Sequence, residues 1–189
     1  MNKTQTKYLV ISALMTTLMC VGSYIKIPFI FVPLTMQFFF VNLSALIQPR
    51  KYAVLSVLAY VLLGLIGLPV FSGGGGIGYV LTPTFGYIIG FFLSAVVSGT
   101  IKPLIKASFG SRILLGVINI AIIYICGLAY FYLIAYYYLN SEISLAKLWI
   151  SGCAVFIPSD TASMILSALI AGRIITFIPH AAKSSSKQI

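Results

Sequence analysis

The sequence is poor in charge, and above all in acids. Only 7% of its 189 residues are charged, and Glu142 and Asp160 are the two acids, set against twelve Lys and Arg. An ordinary soluble domain carries about 25% charged residues. This chain is instead 60% hydrophobic, with a mean hydropathy of +1.09. A polar coat this thin cannot cover its apolar surface in water, so the composition predicts an integral membrane protein.

Residues that ligate metals or form catalytic pairs are also scarce. The one histidine, His180, lies in the basic C-terminal tail, and Cys20, Cys126 and Cys153 lie inside apolar runs without metal-ligand spacing. No Gly-Lys-Ser/Thr follows the glycine-rich segment, so a phosphate-binding loop is excluded. An intramembrane hydrolase needs a nucleophile–base pair or metal ligands. We therefore expect no catalytic residue, no metal and no cofactor.

Six apolar stretches divide the chain. A spanning helix needs roughly 20 mostly apolar residues, so six spans with short connections account for nearly all of it. The sequence predicts one integral membrane domain over residues 1–189. We expect an all-α protein with six transmembrane helices, at Tyr8–Tyr24, Leu34–Ile47, Ala53–Val70, Phe85–Ile101, Ile113–Leu139 and Leu148–Ile178.

The basic residues segregate between alternate connections. With the N-terminus inside, the outer loops hold Lys26 and Lys147, and the inner segments hold the other ten: Lys3, Lys7, Arg50, Lys51, Lys102, Lys106, Arg112, Arg173, Lys183 and Lys187. This distribution obeys the positive-inside rule. It predicts that both termini are cytoplasmic, and it assigns the net charge of +10 to membrane topology rather than to nucleic-acid binding.

Asp160 is the acid that lies within an apolar stretch. An intramembrane carboxylate costs about 2.5–3.5 kcal/mol on insertion scales, which makes it a functional candidate. Because an ionised carboxylate only accepts hydrogen bonds, it suits a ligand with N–H donors, a cation or a proton relay. The alternative is a structural role in the first turn of a helix that begins at the Pro158 break. Both roles can coexist.

Two further segments can each be interpreted in two ways. The glycine-rich run from Gly64 to Tyr79 could form a lid or floor over a ligand, or it could be a flexible connector. In the first span, Ser12, Thr16 and Cys20, and likewise Ala13 and Thr17, lie four residues apart. Such stripes of small residues allow close helix approach in lipid, either to a partner protein or within this chain.

Tyrosines are abundant in the fifth span. Most of them are expected to form an interfacial belt, with one or two lining an aromatic pocket. The tyrosines in question are Tyr130, Tyr132, Tyr136, Tyr137 and Tyr138.

Several of these segments, in this order, resemble BioY, the biotin-specific S component of energy-coupling-factor vitamin transporters. The resemblance covers most of the chain. Its motifs are Val32-Pro33-Leu34-Thr35-Met36-Gln37, Gly67-Leu68-Pro69-Val70-Phe71 with the glycine loop, Thr82-Pro83-Thr84-Phe85-Gly86-Tyr87-Ile88-Ile89-Gly90-Phe91, and Phe156-Ile157-Pro158-Ser159-Asp160.

The resemblance implies an S-component fold in a bacterial cell membrane and a biotin site near the outer surface. It also implies docking onto a transmembrane coupling protein with two ATPase subunits, through a first-span pattern that here reads Ala13 and Thr17. Asp160 matches the family's acidic residue and is expected to accept the N–H bonds of biotin's ureido ring. The other candidate pocket residues are Gln37, Tyr79, Thr84, Tyr87 and Ser163.

The chain departs from the family pattern next to that acid. Ser159 replaces the family's glycine, and Ser163 stands where the family has a lysine, three residues after the acid. Without this lysine, an S component for another small vitamin such as lipoate is an alternative, although lipoate lacks ureido donors for Asp160. A membrane scaffold without a ligand is the other alternative.

Overall fold

The chain is mostly helical in the computed structural model, which describes residues 3–27, 34–139 and 144–176. Short 3-10 turns cover Ile77–Leu81 and Lys102–Leu104, and a π-helical turn covers Ile150–Ala154. The helices and strands are α1 (Lys3–Tyr24), β1 (Lys26–Ile27), β2 (Leu34–Thr35), α2 (Gln37–Ile47), α3 (Arg50–Leu65), α4 (Phe85–Ile101), α5 (Phe109–Tyr137), α6 (Leu145–Trp149) and α7 (Ile157–Thr176).

Four helical segments are long and apolar enough to cross a membrane: Lys3–Tyr24, Phe85–Leu104, Phe109–Tyr137 and Ala146–Thr176. The second and third predicted spans contain the shorter helices α2, of 11 residues, and α3, of 16 residues. Helices therefore form in all six predicted stretches, but two of them are shorter than a full crossing requires.

The ends of these two short helices differ from the sequence prediction. The second stretch was expected to be helical from Leu34, but Leu34–Thr35 form β2, which pairs antiparallel with β1. This small hairpin is an exception to the expected all-α architecture. The third stretch was expected to continue to Val70, but α3 ends at Leu65, just before Gly67 takes a φ of 111°. A positive φ is typical of the residue after a helix end.

Some predicted features lie outside the described residues. They are the apolar outer segment 28–33, the segment 140–143 with Glu142, and the tail with His180, Lys183 and Lys187.

Helix α2 lies at the centre of the bundle. It contacts α1, α3, α4, α5 and α7, and all of its residues except Phe40 are buried. The outer faces of the surrounding helices expose large apolar side chains such as Val10, Ile125 and Leu169. An exposed apolar surface of this kind is stable in lipid but not in water.

A chain of hydrogen bonds between polar side chains joins four helices in the interior. Asn119 of α5 donates through Nδ2 to Oδ1 of Asn42 in α2 at 2.8 Å, and Ser98 of α4 donates to Oδ1 of Asn119 at 2.6 Å. Nδ2 of Asn42 donates to the hydroxyl of Ser167 in α7 at 2.7 Å. All four side chains are 0% exposed. Buried polar groups need such partners, and in a membrane they hold helices together.

The half-buried Lys102 connects the end of α4 to the α2–α3 connection. The ammonium group of Lys102, just after α4, donates to the carbonyl oxygens of Ala45 at 2.8 Å, Leu46 at 3.2 Å and Gln48. These carbonyls belong to the C-terminal end of α2, where helical backbone leaves acceptors unsatisfied and a cation is favourable. The end of α4 is thereby fixed against the α2–α3 connection.

Replacing Asn119 by alanine should destabilise the bundle, because it leaves Oδ1 of Asn42 and the hydroxyl of Ser98 buried without a partner. Interhelical hydrogen bonds in membranes contribute about 0.6 kcal/mol on average and up to about 1.7 kcal/mol. We expect Asn119→Ala to lower the thermal unfolding midpoint of the purified protein in detergent.

Thr100→Ala is the control for this prediction. Thr100 is exposed, and its hydroxyl bonds only to Val96 O in its own helix. An unfolding midpoint for Asn119→Ala equal to that of Thr100→Ala would show that the interior hydrogen bonds do not stabilise the fold.

Candidate ligand-binding site

A pocket opens between α2, α4, α5, the start of α7 and the glycine-rich loop. Its empty space, mouth included, is about 550 Å³. Its walls are largely apolar and aromatic with a few converging polar groups, as is usual for small-molecule sites. The lining residues are Thr35, Gln37, Phe38, Ser72, Tyr79, Thr84, Tyr87, Ile88, Phe91, Ile123, Tyr124, Phe156 and Asp160.

The structure brings five of the six predicted pocket residues to this one cavity. Asp160, Gln37, Tyr79, Thr84 and Tyr87 all line it, although they come from four separate segments of the chain. Their contact with a ligand stays a prediction.

Ser163, the sixth predicted residue, does not line the pocket. It lies one turn further along α7 and is buried. Unlike a lysine, a serine at this position brings no positive charge near Asp160.

The position of Asp160 is compatible with both of the roles that the sequence left open. It lies in the first turn of α7, where a negative charge is favoured by the helix dipole, and it also lines the pocket. The hydroxyl of Tyr124, on α5, donates to its Oδ2 at 2.6 Å. Ser159 also forms a side-chain hydrogen bond with Asp160. A carboxylate has about four acceptor positions, so these two bonds leave Asp160 able to accept N–H donors from a ligand.

The backbone before α7 is distorted, and this distortion holds Tyr87. The N–H of Phe156, just after the π-helical turn, donates to Cys153 O at 2.9 Å. The carbonyl of Gly152, within that turn, accepts from the hydroxyl of Tyr87 at 2.5 Å. The irregular stretch therefore anchors a pocket residue on α4, and such π-turns are frequent at functional sites.

The glycine-rich segment has a defined conformation. Phe71 and Gly74 exchange backbone hydrogen bonds of 2.9 and 3.1 Å, and the N–H of Gly76 donates to Gly64 O at 2.7 Å. Gly74 and Gly76 have φ values of 127° and 95°, which side chains other than glycine rarely adopt. The segment forms one wall of the pocket through Ser72 and Tyr79, which favours a ligand-covering role over that of a flexible connector.

Phe71 fixes this wall to the bundle. Its ring packs against those of Tyr60, Tyr79 and Phe85, with centroid separations of 5.5, 4.7 and 6.5 Å. The ring also lies directly on Gly64 of α3, where a Cβ atom would overlap it. Because Gly64 has no side chain, the ring of Phe71 can pack directly on α3 and hold the glycine-rich segment there.

A row of hydroxyl groups begins at the glycine-rich wall and follows one side of the pocket. The hydroxyl of Tyr79 lies 3.1 Å from that of Ser72 and 2.8 Å from that of Thr84. The three groups therefore form a hydrogen-bonded row along one side of the cavity, and each hydroxyl can both donate and accept.

Gln37 is oriented by its neighbours at the start of α2. Its Oε1 accepts from the hydroxyl of Thr35 at 3.0 Å, and its Nε2 donates to the hydroxyl of Tyr60. Tyr60 in turn donates to Val70 O at 3.3 Å. These bonds fix the direction of the carboxamide and link α2 to the glycine-rich wall.

Sequence reasoning missed Tyr124, which makes the closest polar contact to Asp160. It lies in the middle of α5, far from either end, where a tyrosine cannot belong to an interfacial belt. That position was the signal that could have identified it. The apolar lining residues Ile88, Phe91, Ile123 and Phe156 gave no such signal, because they look like any others in the apolar stretches.

The first-span stripes separate into an internal and an external face. Ser12 donates to Oε1 of Gln48 at 2.8 Å, and Thr16 donates to Ser56 O at 2.9 Å. That face packs within the chain. Ala13 and Thr17 are exposed, and the hydroxyl of Thr17 bonds only to Ala13 O, at 3.0 Å. Their face of α1 is free to meet a partner, and its role in docking stays a prediction.

Comparisons with known proteins point to one family. The family model described as the BioY family matches residues 1–180. The chain is 38% identical over 175 residues to the "Probable biotin transporter BioY" of Lysinibacillus sphaericus. The aligned residues cover 92% of this chain and 89% of that protein. It is 38% identical over 170 residues to the "Biotin transporter BioY" of Thermotoga maritima, covering 89% of this chain and 95% of that one.

A solved structure has the same fold. It is a crystal structure of the S-component for biotin from an ECF-type ABC transporter. It superimposes with a TM-score of 0.77 at 29% identity and covers 92% of this chain and 94% of that one.

A Gly64→Ala substitution should loosen the glycine-rich wall, because the added methyl group overlaps the ring of Phe71. Overpacking of this kind costs about 1–3 kcal/mol. We expect faster amide hydrogen exchange in residues 71–79, measured by mass spectrometry, and a lower unfolding midpoint.

Gly78→Ala is the matched control, because a Cβ atom there has no neighbour within 4 Å. Alanine is also the better helix former at Gly64, so propensity alone would stabilise that variant. If Gly64→Ala protects the loop as well as Gly78→Ala does, the Phe71 contact does not hold the wall.

Proposed function

The chain belongs to the BioY family, and on this premise we propose that it is the S component that binds biotin for an energy-coupling-factor transporter. The protein is a transport component rather than an enzyme. The observation that carries the proposal is the pocket with the buried Asp160–Tyr124 pair, built on a fold that a biotin S-component shares.

The chemistry of the pocket suits biotin. The ureido ring of biotin has two N–H groups, and Asp160 accepts hydrogen bonds from them. The apolar walls, which include Phe91, Ile123 and Phe156, suit the fused rings and the aliphatic chain. Gln37, Tyr79, Thr84 and Tyr87 supply further polar contacts. Such a site combines apolar burial with a few directional polar groups.

Lipoate remains the second candidate, because Ser163 occupies the position of the family's lysine. The Asp160–Tyr124 pair favours biotin over it. The carboxylate of Asp160 gains hydrogen bonds from ureido donors, whereas a ligand without N–H groups would cover its remaining acceptor positions without giving them a partner. A scaffold without a ligand would have no use for a carboxylate kept in the membrane at this cost.

We further propose six membrane crossings with both termini in the cytoplasm of a bacterial cell. Helices α2 and α3 would complete their crossings with the hairpin and the glycine-rich wall. The contact of Lys102 with the end of α2 supports this arrangement, because it places two of the basic connections at the same end of the bundle. The pocket then opens at the other end, toward the outside.

The proposed partners are a transmembrane coupling protein and two ATPase subunits. The chain has no phosphate-binding loop of its own, so energy for uptake must come from another subunit. The exposed face of α1 with Ala13 and Thr17 is the proposed contact, because small side chains let a partner helix approach closely in lipid.

Isothermal titration calorimetry of the purified protein tests whether biotin is the ligand. Absence of a heat signal at micromolar biotin would refute this assignment. Asp160→Ala should weaken binding by more than about 2 kcal/mol, or roughly 30-fold, because hydrogen bonds to a charged acceptor are lost. Tyr124→Phe should weaken it less, because Asp160 keeps its charge but loses its oriented partner.

Tyr132→Phe is the control for Tyr124→Phe, since Tyr132 lies on the same helix with its side chain exposed. Titration of the same proteins with lipoate distinguishes a site for biotin from a site for lipoate. Affinity for biotin that is unchanged in Asp160→Ala would remove Asp160 from the site.

Bulky substitution of the α1 face should prevent assembly without affecting the pocket. We expect Ala13→Trp and Thr17→Trp to bind biotin normally in isolation but to lose co-purification with the coupling protein and ATPases. Ile125→Trp is the control, because Ile125 is 68% exposed on α5. Normal assembly of both α1 variants would place the docking surface elsewhere.

A further inference from the structure

We propose that Lys26 binds the carboxylate of the ligand at the edge of the pocket that Thr35 and Ser72 form. This inference rests on the proposed function, because it takes biotin as the ligand. It assigns a binding role to a residue outside the family-like motifs and outside the predicted set of pocket residues.

Lys26 is fixed at this edge by contacts with two lining residues. It is the cross-strand partner of Thr35 in the β1–β2 pair. Its ammonium group donates to Ser72 O at 2.6 Å. Thr35 and Ser72 both line the pocket, so Lys26 lies next to it. The side chain of Lys26 also connects the β1–β2 hairpin to the glycine-rich wall.

The ammonium group of Lys26 has capacity for a ligand. It carries three N–H donors, and the carbonyl of Ser72 takes one of them. The side chain is exposed, so a ligand can reach the remaining donors.

The charge of Asp160 restricts the direction of the ligand. Biotin carries a carboxylate on its aliphatic chain, remote from the ureido ring. Two carboxylates close together in a site of low dielectric repel each other strongly. The ligand carboxylate is therefore directed away from Asp160, and Lys26 offers it a positive charge beside Thr35 and Ser72.

Lys26 also bears on the missing lysine. Because Ser163 stands at the position of the family's lysine, that residue brings no positive charge to the pocket. Lys26 brings one beside Thr35 and Ser72, and Asp160 brings a carboxylate. A site with both groups complements a ligand with N–H donors at one end and a carboxylate at the other.

The test compares biotin with biotinamide, in which an uncharged carboxamide replaces the carboxylate. Wild-type protein and Lys26→Met are titrated with each ligand. We expect Lys26→Met to weaken biotin binding about three- to tenfold, the range of a partly exposed charge pair, and to leave biotinamide binding unchanged. The preference of the wild type for biotin should also decrease as salt is raised.

The two ligands separate a contact from a structural role. If Lys26→Met weakens both ligands equally, Lys26 only ties the hairpin to the wall, and the proposal is overturned. An unchanged affinity for biotin overturns it as well. The comparison is a double-mutant cycle between one side chain and one ligand group.

Lys147→Met is the control for long-range attraction, because Lys147 is the other basic residue predicted on the outer side. An equal effect of Lys147→Met would show that a general positive field, rather than contact with Lys26, favours the carboxylate. A wild-type protein that binds neither biotin nor biotinamide would instead refute the proposed function itself.

Discussion

The hydrogen bond between the amides of Asn119 and Asn42 lies where α2, α4, α5 and α7 meet, and the pocket depends on it. Each of these helices also carries pocket residues. Asn119 lies five residues from Tyr124, and Ser167 lies seven residues from Asp160, which at 1.5 Å per residue is about 8–10 Å. A fully satisfied polar network fixes the rotation of the helices that it joins. The lining side chains therefore meet in one register.

The sequence predicted the helical architecture and the acidic end of the pocket for a clear physical reason. A carboxylate in an apolar run is costly, so Asp160 stood out without any knowledge of its neighbours. The glycine-rich segment stood out because so many glycines are needed only where backbone packs closely or takes a positive φ. Gly64 under the ring of Phe71, and Gly74 and Gly76 with their φ values, meet both conditions.

Tyr124 and the apolar lining residues could not be assigned so directly. Whether a residue of α5 faces lipid or the pocket depends on the rotation of that helix, which the interior amides set. In lipid, both faces of a helix are apolar, so hydrophobic periodicity does not mark the inner face as it does in water. The same ambiguity affected α1, where Ser12 and Thr16 pack inward and Ala13 and Thr17, one position on, face outward.

The length of α2 explains why a cavity exists at this end of the bundle. Its 11 residues span about 16 Å, roughly half of a bilayer's hydrocarbon core. Backbone that is not helical is tolerated at membrane depth only where it is buried in protein or lines a cavity. The hairpin and the glycine-rich wall meet this requirement through Lys26 and Ser72, and through Tyr24, which donates to Pro69 O. A helix long enough to cross would fill the space that the pocket occupies, so the short helix and the irregular segments above it are what make room for a ligand.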